Sequence, residues 1–345
     1  MKFLRILSIA AASFLCAAQA ARSESARRPA DFAAKPAEKP ALQSISLYVE
    51  NDIYFSDRYY TNGLKIMYTG EGDDFLASKL QFMALRALID GRQAHQTACI
   101  GQNMYVPGEI SDPNPPSWDR PYAGWLYVGA GAHLASKDRL DSLSVNLGVV
   151  GPISLAEDAQ KFFHSIIGAT WPMGWHDQVK NEPGIEIGYN HSERLLRFGG
   201  HRGWASDFIG SIGADLGNVK TQGQLRALAR FGYNVPYSFD PNRIDAAGGN
   251  DVEWIPEDGR PDWHLYFYGG GAARFVAYDI ALDGNTFADS RWVVPKWLVG
   301  EVLAGVSARY GRFEADLNYT LRTAEFNHQK HPVHMFWTLR LKVFF

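Results

Sequence analysis

The last eleven residues show the pattern most clearly: Met335, Trp337, Leu339, Leu341, Val343 and Phe345 are apolar at every second position, with Thr338, Arg340 and Lys342 between them. Side chains alternate between the two faces of a strand, so this segment has one greasy face and one charged face. A strand of this kind, ending on an aromatic residue, fits the closing strand of a transmembrane β-barrel, with apolar side chains toward lipid and polar ones toward the lumen. Read the same way, the chain holds twelve strand candidates, at about 43–51, 60–69, 94–106, 121–135, 139–150, 183–193, 206–217, 222–234, 263–278, 297–309, 312–324 and 333–345. An even number lets an antiparallel barrel close with both ends on one side. Closure also leaves no open sheet edge for lipid to strip of water. The expected fold is therefore all-β: one antiparallel transmembrane barrel over residues 42–345, with a short helix in one extracellular loop.

Odd-numbered strands then run outward, which places loops at about 52–59, 107–120 and 151–182 outside the cell. The last holds a helical candidate, Leu155 to Ala169. Residues 70–93 and 235–262 become periplasmic connections, long for such turns. Phe75 to Leu88 has helical spacing and is expected along the inner rim. The pattern offers no account of the 235–262 insertion.

The start of the chain agrees with export. Lys2 and Arg5 precede an apolar run, Ile6 to Cys16, and Ala18-Gln19-Ala20 is a small-x-small cleavage site. Such a segment is a secretory signal peptide, too short to span a membrane. Residues 21–41, rich in Ala, Pro, Lys and Glu, are expected to form a flexible periplasmic tail. Beyond them no run of 18 uncharged apolar residues occurs, so helical spans are not expected. The 33 Gly, 16 Tyr and 10 Trp suit barrel strands with aromatic girdles. Cleavage after Ala20 leaves 32 basic and 37 acidic residues, a balance that argues against nucleic-acid binding. Cys99 is then the one remaining cysteine, so no intrachain disulfide is expected.

Candidate chemistry gathers at the outer ends of the first two strands. With Leu47 and Val49 toward lipid, Ser46, Tyr48, Glu50 and Asp52 face the lumen. With Leu64, Ile66 and Tyr68 toward lipid, Thr61, Gly63, Lys65 and Met67 face inward. Glu50 and Asp52 offer carboxylate oxygens to a hard cation such as Ca²⁺. The plain alternative is a polar interior network with no ligand. Gln160 and His164 are four residues apart in the third loop and share a face if that stretch is helical. A histidine suits general-base work near neutral pH. A lone helical histidine is more often a packed or solvated residue. Topology brings Asp52, Thr61 and His164 to one mouth, and a carboxylate for metal with a histidine base are the parts that hydrolyse an ester. No Gly-x-Ser-x-Gly, His-Glu-x-x-His or phosphate-loop motif is present.

Glu50-Asn51-Asp52, followed by Asp57-Arg58-Tyr59-Tyr60-Thr61-Asn62-Gly63, resembles the opening motif of the LpxR-like lipid A 3′-O-deacylases. Gly151-Pro152, Gln160, His164-Ser165-Ile166-Ile167-Gly168, Trp175-His176-Asp177-Gln178 and Asn181-Glu182 extend the resemblance, which runs from about residue 43 to the C-terminus. The resemblance implies a twelve-stranded outer-membrane barrel that removes the 3′-linked acyloxyacyl group of lipid A with Ca²⁺ as cofactor. It implies His164 as the general base, with Asn51, Asp52, Thr61 and Gln160 around it and Asp52 as metal ligand. One departure stands out. A member of the family has Glu six residues after the His, where this chain has Thr170. Either that carboxylate is dispensable or another, such as Glu50, supplies the charge.

Lipid A is anionic, so Lys65, Arg58 and Arg120 are candidate phosphate contacts. The bland alternatives are an internal ion pair for Lys65 and loop solvation for the two arginines. No protein partner is implied. Two other functions remain open: an outer-membrane phospholipase and a passive barrel or pore. Twelve strands filled with Tyr, Trp and charged side chains leave a narrow interior, so little conductance is expected.

Overall fold

The structure, a computed structural model, describes residues 43–52, 57–71, 91–239, 243–244 and 251–345. The expected signal peptide, the 21–41 tail and the 75–88 helix lie outside the described residues. Twelve strands form the barrel: β1 (Ser44–Asn51), β2 (Tyr59–Glu71), β3 (Gln93–Val106), β4 (Ala123–Ala135), β5 (Arg139–Val150), β6 (Glu182–Phe198), β7 (Trp204–Gly217), β8 (Lys220–Tyr233), β9 (Trp263–Asp279), β10 (Leu298–Tyr310), β11 (Phe313–Thr323) and β12 (Val333–Phe344). Each pairs antiparallel with its neighbours in sequence, and β1 closes on β12 from Ser44 opposite Phe344 to Asn51 opposite Trp337.

Alternation explains the wall. Along β11, Phe313, Leu317, Tyr319 and Leu321 are exposed, while Glu314, Asp316, Asn318, Thr320 and Arg322 are buried. A soluble sheet would bury the first set. Here the apolar face is outside, and the polar face satisfies itself across the lumen, as lipid requires. The expected inward set of β1 and β2 holds for Ser46, Tyr48, Glu50, Lys65 and Met67, all buried.

One end of the barrel carries the connections 52–58, 107–122, 151–181, 218–219, 280–297 and 324–332. The 151–181 connection contains helix α1 (Ala156–Ile167), shorter at both ends than the expected 155–169. Glu157 and Asp158 complement its N-terminal dipole. Lys161 and Glu157 pair one turn apart at 2.5 Å, and Gly168, at φ 70°, ends the helix with its N–H on the His164 carbonyl. Helix α2 (Ile280–Asp283) sits in the 280–297 connection.

The opposite end has the short connections 136–138, 199–203 and 311–312, and it is also where 234–262 begins and ends. That insertion is not a simple periplasmic connection, because it rises into the lumen. Ile244 donates its backbone N–H to Glu50 at 2.8 Å, near the α1 end. Arg243 pairs with Glu301 at 2.7 Å. Asp251 takes hydrogen bonds from Ser46, Arg340 and Lys342. Phe239 and Val252 pack with Leu228, Tyr266 and Leu303. The insertion is the core that a wall with a polar interior would otherwise lack.

Candidate active site

Helix α1 lies against the outside of the barrel wall. In β3 and β4, Ile100 and Val128 are exposed on the outer face. Met104 and Gly124 have the same parity, and both meet the helix. Met104 and Val106 cluster with Ile110, Tyr122, Ala156 and Trp175. A Cβ on Gly124 would come within 2.3 Å of the Ala156 methyl, so this glycine sets how closely the helix approaches. Partners across strands point the same way. Asn51 opposite Asn62, Asn62 opposite Met104, and Met104 opposite Gly124 therefore form one row on the outer wall. Asn51 is half-buried in that row.

The helix is amphipathic in the reverse of the usual sense. Its buried residues are Ala156, Gln160 and His164, at successive turns. Phe162 and Ile166 are exposed, together with Ile153 and Leu155 before the helix and Trp171 and Met173 after it. Gln160 and His164 face the wall beside Ala156, while Phe162 and Ile166, with Asp158 and Ser165 also exposed, face outward, toward the space that lipid fills around the barrel.

His164 is held on both sides. Its Nδ1 lies at hydrogen-bonding distance from the Thr170 carbonyl. A carbonyl only accepts, so Nδ1 carries a proton, and in the neutral imidazole Nε2 has the free lone pair. Nε2 is 3.5 Å from Asp57 Oδ2. Position 170, which departs from the family pattern, thus still reaches the imidazole through its main chain. Gln160 is oriented in the same way. Trp175 Nε1 can only donate, and it donates to Gln160 Oε1 at 2.7 Å. The Gln160 NH₂ is therefore the remaining end, buried and without a hydrogen-bond partner.

Asp52 and Thr61 join this cluster rather than the lumen. The register shifts between Tyr60 and Asn62, a bulge that takes Thr61 out of simple alternation. The Thr61 hydroxyl is 3.0 Å from Asp52 Oδ1 and 2.8 Å from Asp57 Oδ1. It has one proton for two carboxylates. Such an oxygen-rich, negative corner fits a hard cation. Asp52 Oδ2 also accepts the Arg58 N–H at 2.8 Å. Asp57 and Tyr59 flank Arg58 with φ of 52° and 63°, left-handed backbone in the turn that leads into Thr61. Burial pushes the Asp57 carboxyl above its ordinary value, against the pull of His164 and the Thr61 hydroxyl. Among the described residues no group of three or more His, Cys, Asp or Glu is gathered as metal ligands.

The other sequence candidates lie elsewhere. Glu50 faces the lumen and accepts hydrogen bonds from Tyr60 Oη, Ile244 N and Thr338 Oγ1 at 2.6–2.9 Å. Its oxygens hold the interior segment and not the corner beside His164. Lys65 is buried, 4.5 Å over the Tyr48 ring. Arg120 is fully buried, paired with Glu325 at 3.1 Å and 4.8 Å over Tyr105. Although burial opposes it, Arg322 and Arg120 hold the Glu325 carboxyl below its ordinary value. Neither Lys65 nor Arg120 reaches a surface where a phosphate would approach. Arg58 is half-buried at the rim. Sequence reasoning missed Asp57 as a site residue, although it stands four before Thr61 in the opening motif.

The chain matches the family described as "Outer membrane protein LpxR" over residues 7–345. No match is found among curated proteins. Among solved structures the chain is similar to LpxR from Salmonella typhimurium, with 20% identity and a TM-score of 0.70, covering 88% of this chain and 100% of that one. It also aligns with the β domain of the Bordetella autotransporter BrkA, at 12% identity and a TM-score of 0.41, over 88% and 98% of the two chains. A third alignment, with the translocator domain of the autotransporter NalP from Neisseria meningitidis, has 11% identity and a TM-score of 0.32 over 90% of each chain. The first of these shows a shared fold; the other two are too distant in shape to bear on it.

Proposed function

The chain belongs to the LpxR family of outer membrane proteins, and from that premise we propose that it is a lipid A-modifying esterase, a lipid A 3′-O-deacylase. The observation that carries this reading is a polar cluster of His164, Gln160, Asp52, Asp57 and Thr61 held at the outer wall by a helix that exposes Phe162 and Ile166 on its other side. A lumen site would suit a permeating solute. A site on the outer wall suits a substrate that lies in the leaflet beside it. Lipid A occupies the external leaflet, so the α1 end faces the cell exterior. The short connections 136–138, 199–203 and 311–312 at the other end agree with periplasmic turns.

In this reading the 3′ ester enters between α1 and the row Asn51, Asn62 and Met104. His164, with Nδ1 tied to Thr170, takes a water proton at Nε2. The Gln160 NH₂, aimed by Trp175, donates to the ester oxygen as charge develops there. Asp52 would hold Ca²⁺, and the ion would supply Lewis-acid polarisation of the ester carbonyl. The apolar residues Phe162, Ile166 and Trp171 keep the helix in lipid and exclude bulk water.

The test is mass spectrometry of lipid A from cells expressing the chain, beside a His164→Ala control, with Ca²⁺ present. The expected result is loss of the 3′ acyloxyacyl mass with the intact chain only. Removing a general base lowers the rate about 10²–10⁴-fold. A folded His164→Ala barrel that deacylates undiminished sinks the role given to His164. An unchanged lipid A profile from the intact, folded barrel sinks the substrate.

A further inference from the structure

We propose that Asp57 is a further catalytic residue, the second acceptor that holds the attacking water against His164. The proposal rests on the esterase reading above. Its carboxylate uses one oxygen on each side: Oδ1 takes the Thr61 hydroxyl at 2.8 Å, and Oδ2 faces His164 Nε2 at 3.5 Å. In the neutral imidazole that a general base requires, Nε2 has no proton to donate, since Nδ1 spends the one N–H on Thr170. Two acceptors therefore face each other at 3.5 Å, which is repulsive unless a donor lies between or beside them. A water fits that role. Placed about 2.9 Å from each atom, it closes a triangle and gives one O–H to Nε2 and the other to Oδ2, with both bonds close to linear. Its lone pairs then point away from both residues.

The chemistry balances without another reagent. The water oxygen bonds to the ester carbon as its first proton passes to Nε2. The bond from carbon to the sugar oxygen breaks, and that oxygen leaves with the proton held on Nε2. The products are a carboxylic acid and a sugar hydroxyl. Asp57 keeps the second hydrogen bonded throughout, and its charge offsets the imidazolium that forms in between. Asp57 is placed for this by its left-handed backbone, φ 52°, and by the Thr61 bond.

Asp57→Asn is the informative variant, because it keeps an oxygen for Thr61 and turns an N–H donor on Nε2 in place of the acceptor. Full-length barrel in detergent is assayed on lipid A across a Ca²⁺ series, beside wild type and His164→Ala. The expected result is a kcat lower by about 10²-fold with KM within about twofold, not restored by raising Ca²⁺. Undiminished kcat, or recovery at high Ca²⁺, overturns the proposal, the latter because Asp57 would then be a metal ligand. A second readout needs no turnover: the rate at which diethyl pyrocarbonate modifies His164, followed by peptide mass mapping. Asp57→Asn should slow it several-fold by occupying Nε2, and an unchanged rate overturns the placement. A wild type inactive on lipid A but with His164 modification sensitive to Asp57→Asn removes the substrate reading and leaves the residue pair standing. Asp57→Glu serves if the Asn variant fails to fold, with a partial kcat loss expected.

Discussion

At the scale of single residues, the site depends on which atoms are committed. A histidine between a carbonyl and a carboxylate has its tautomer decided by the carbonyl, and an amide opposite an indole N–H has its orientation decided by the indole. Trp175 therefore acts on Gln160 beyond its packing with Tyr122, whose ring centroid is 4.7 Å away. Trp175→Phe keeps most of the packing and removes the donor. It should lower kcat about tenfold and destabilise the barrel by about 1–2 kcal/mol. Deacylation kinetics and urea midpoints of the folded protein check both. The residue types at the site were legible in the sequence, because His164, Gln160, Asp52 and Thr61 stand in spaced motifs. Their surroundings were not. The bulge at Thr61 breaks the two-residue period that assigned it to the lumen, and Asp57 sits in a connection where no period applies.

At the scale of elements, α1 works as a lid of fixed height on the outer wall. Its height is set by small side chains, Gly124 beneath Ser154 and Ala156. Its attachment is set by Gln102 donating to the Ser154 carbonyl at 2.6 Å and by Asn181 receiving the Ile153 N–H at 2.8 Å. Gly151, at φ 91°, lets the chain pass the Lys180 backbone, where a Cβ would sit 2.6 Å from it. Gly124→Val should push α1 outward without opening the barrel, since β4 keeps both ladders. Overpacking of this kind costs about 1–3 kcal/mol. The expected outcome is a heat-modifiable, folded barrel on a gel with at least tenfold lower deacylation. The helix itself was readable from its spacing, but its stop at Gly168 was not, since the 155–169 candidate ran past that glycine. Which of its faces meets protein was not, because an apolar stripe points to the core in water and away from it in lipid.

At the scale of the whole molecule, the barrel is filled from within. The insertion between β8 and β9 brings Asp251 to Arg340 and Lys342, Arg243 to Glu301, and Ile244 to Glu50. Planar bilayer recordings of the intact protein should show little conductance, and large, steady currents would contradict a filled lumen. Asp251→Ala leaves Lys342 buried without its carboxylate partner. Loss of one side of a buried ion pair costs about 3–5 kcal/mol. The variant should unfold at lower urea and show intermittent currents where the parent shows none.

The strands, their number, their order and their lipid-facing sides were determined by the sequence alone. A wall between lipid and a polar interior imposes a strict two-residue period, and that period is written locally. The position of the site on the outer wall, the orientation of His164 and Gln160, the carboxylate at Asp57 and the filling of the lumen were decided only by the tertiary structure. Each depends on a meeting between distant segments: α1 with β3 and β4, Asp57 with His164, Ile244 with β1, and Asp251 with β12. Non-local hydrogen bonds and packing have no period along the chain.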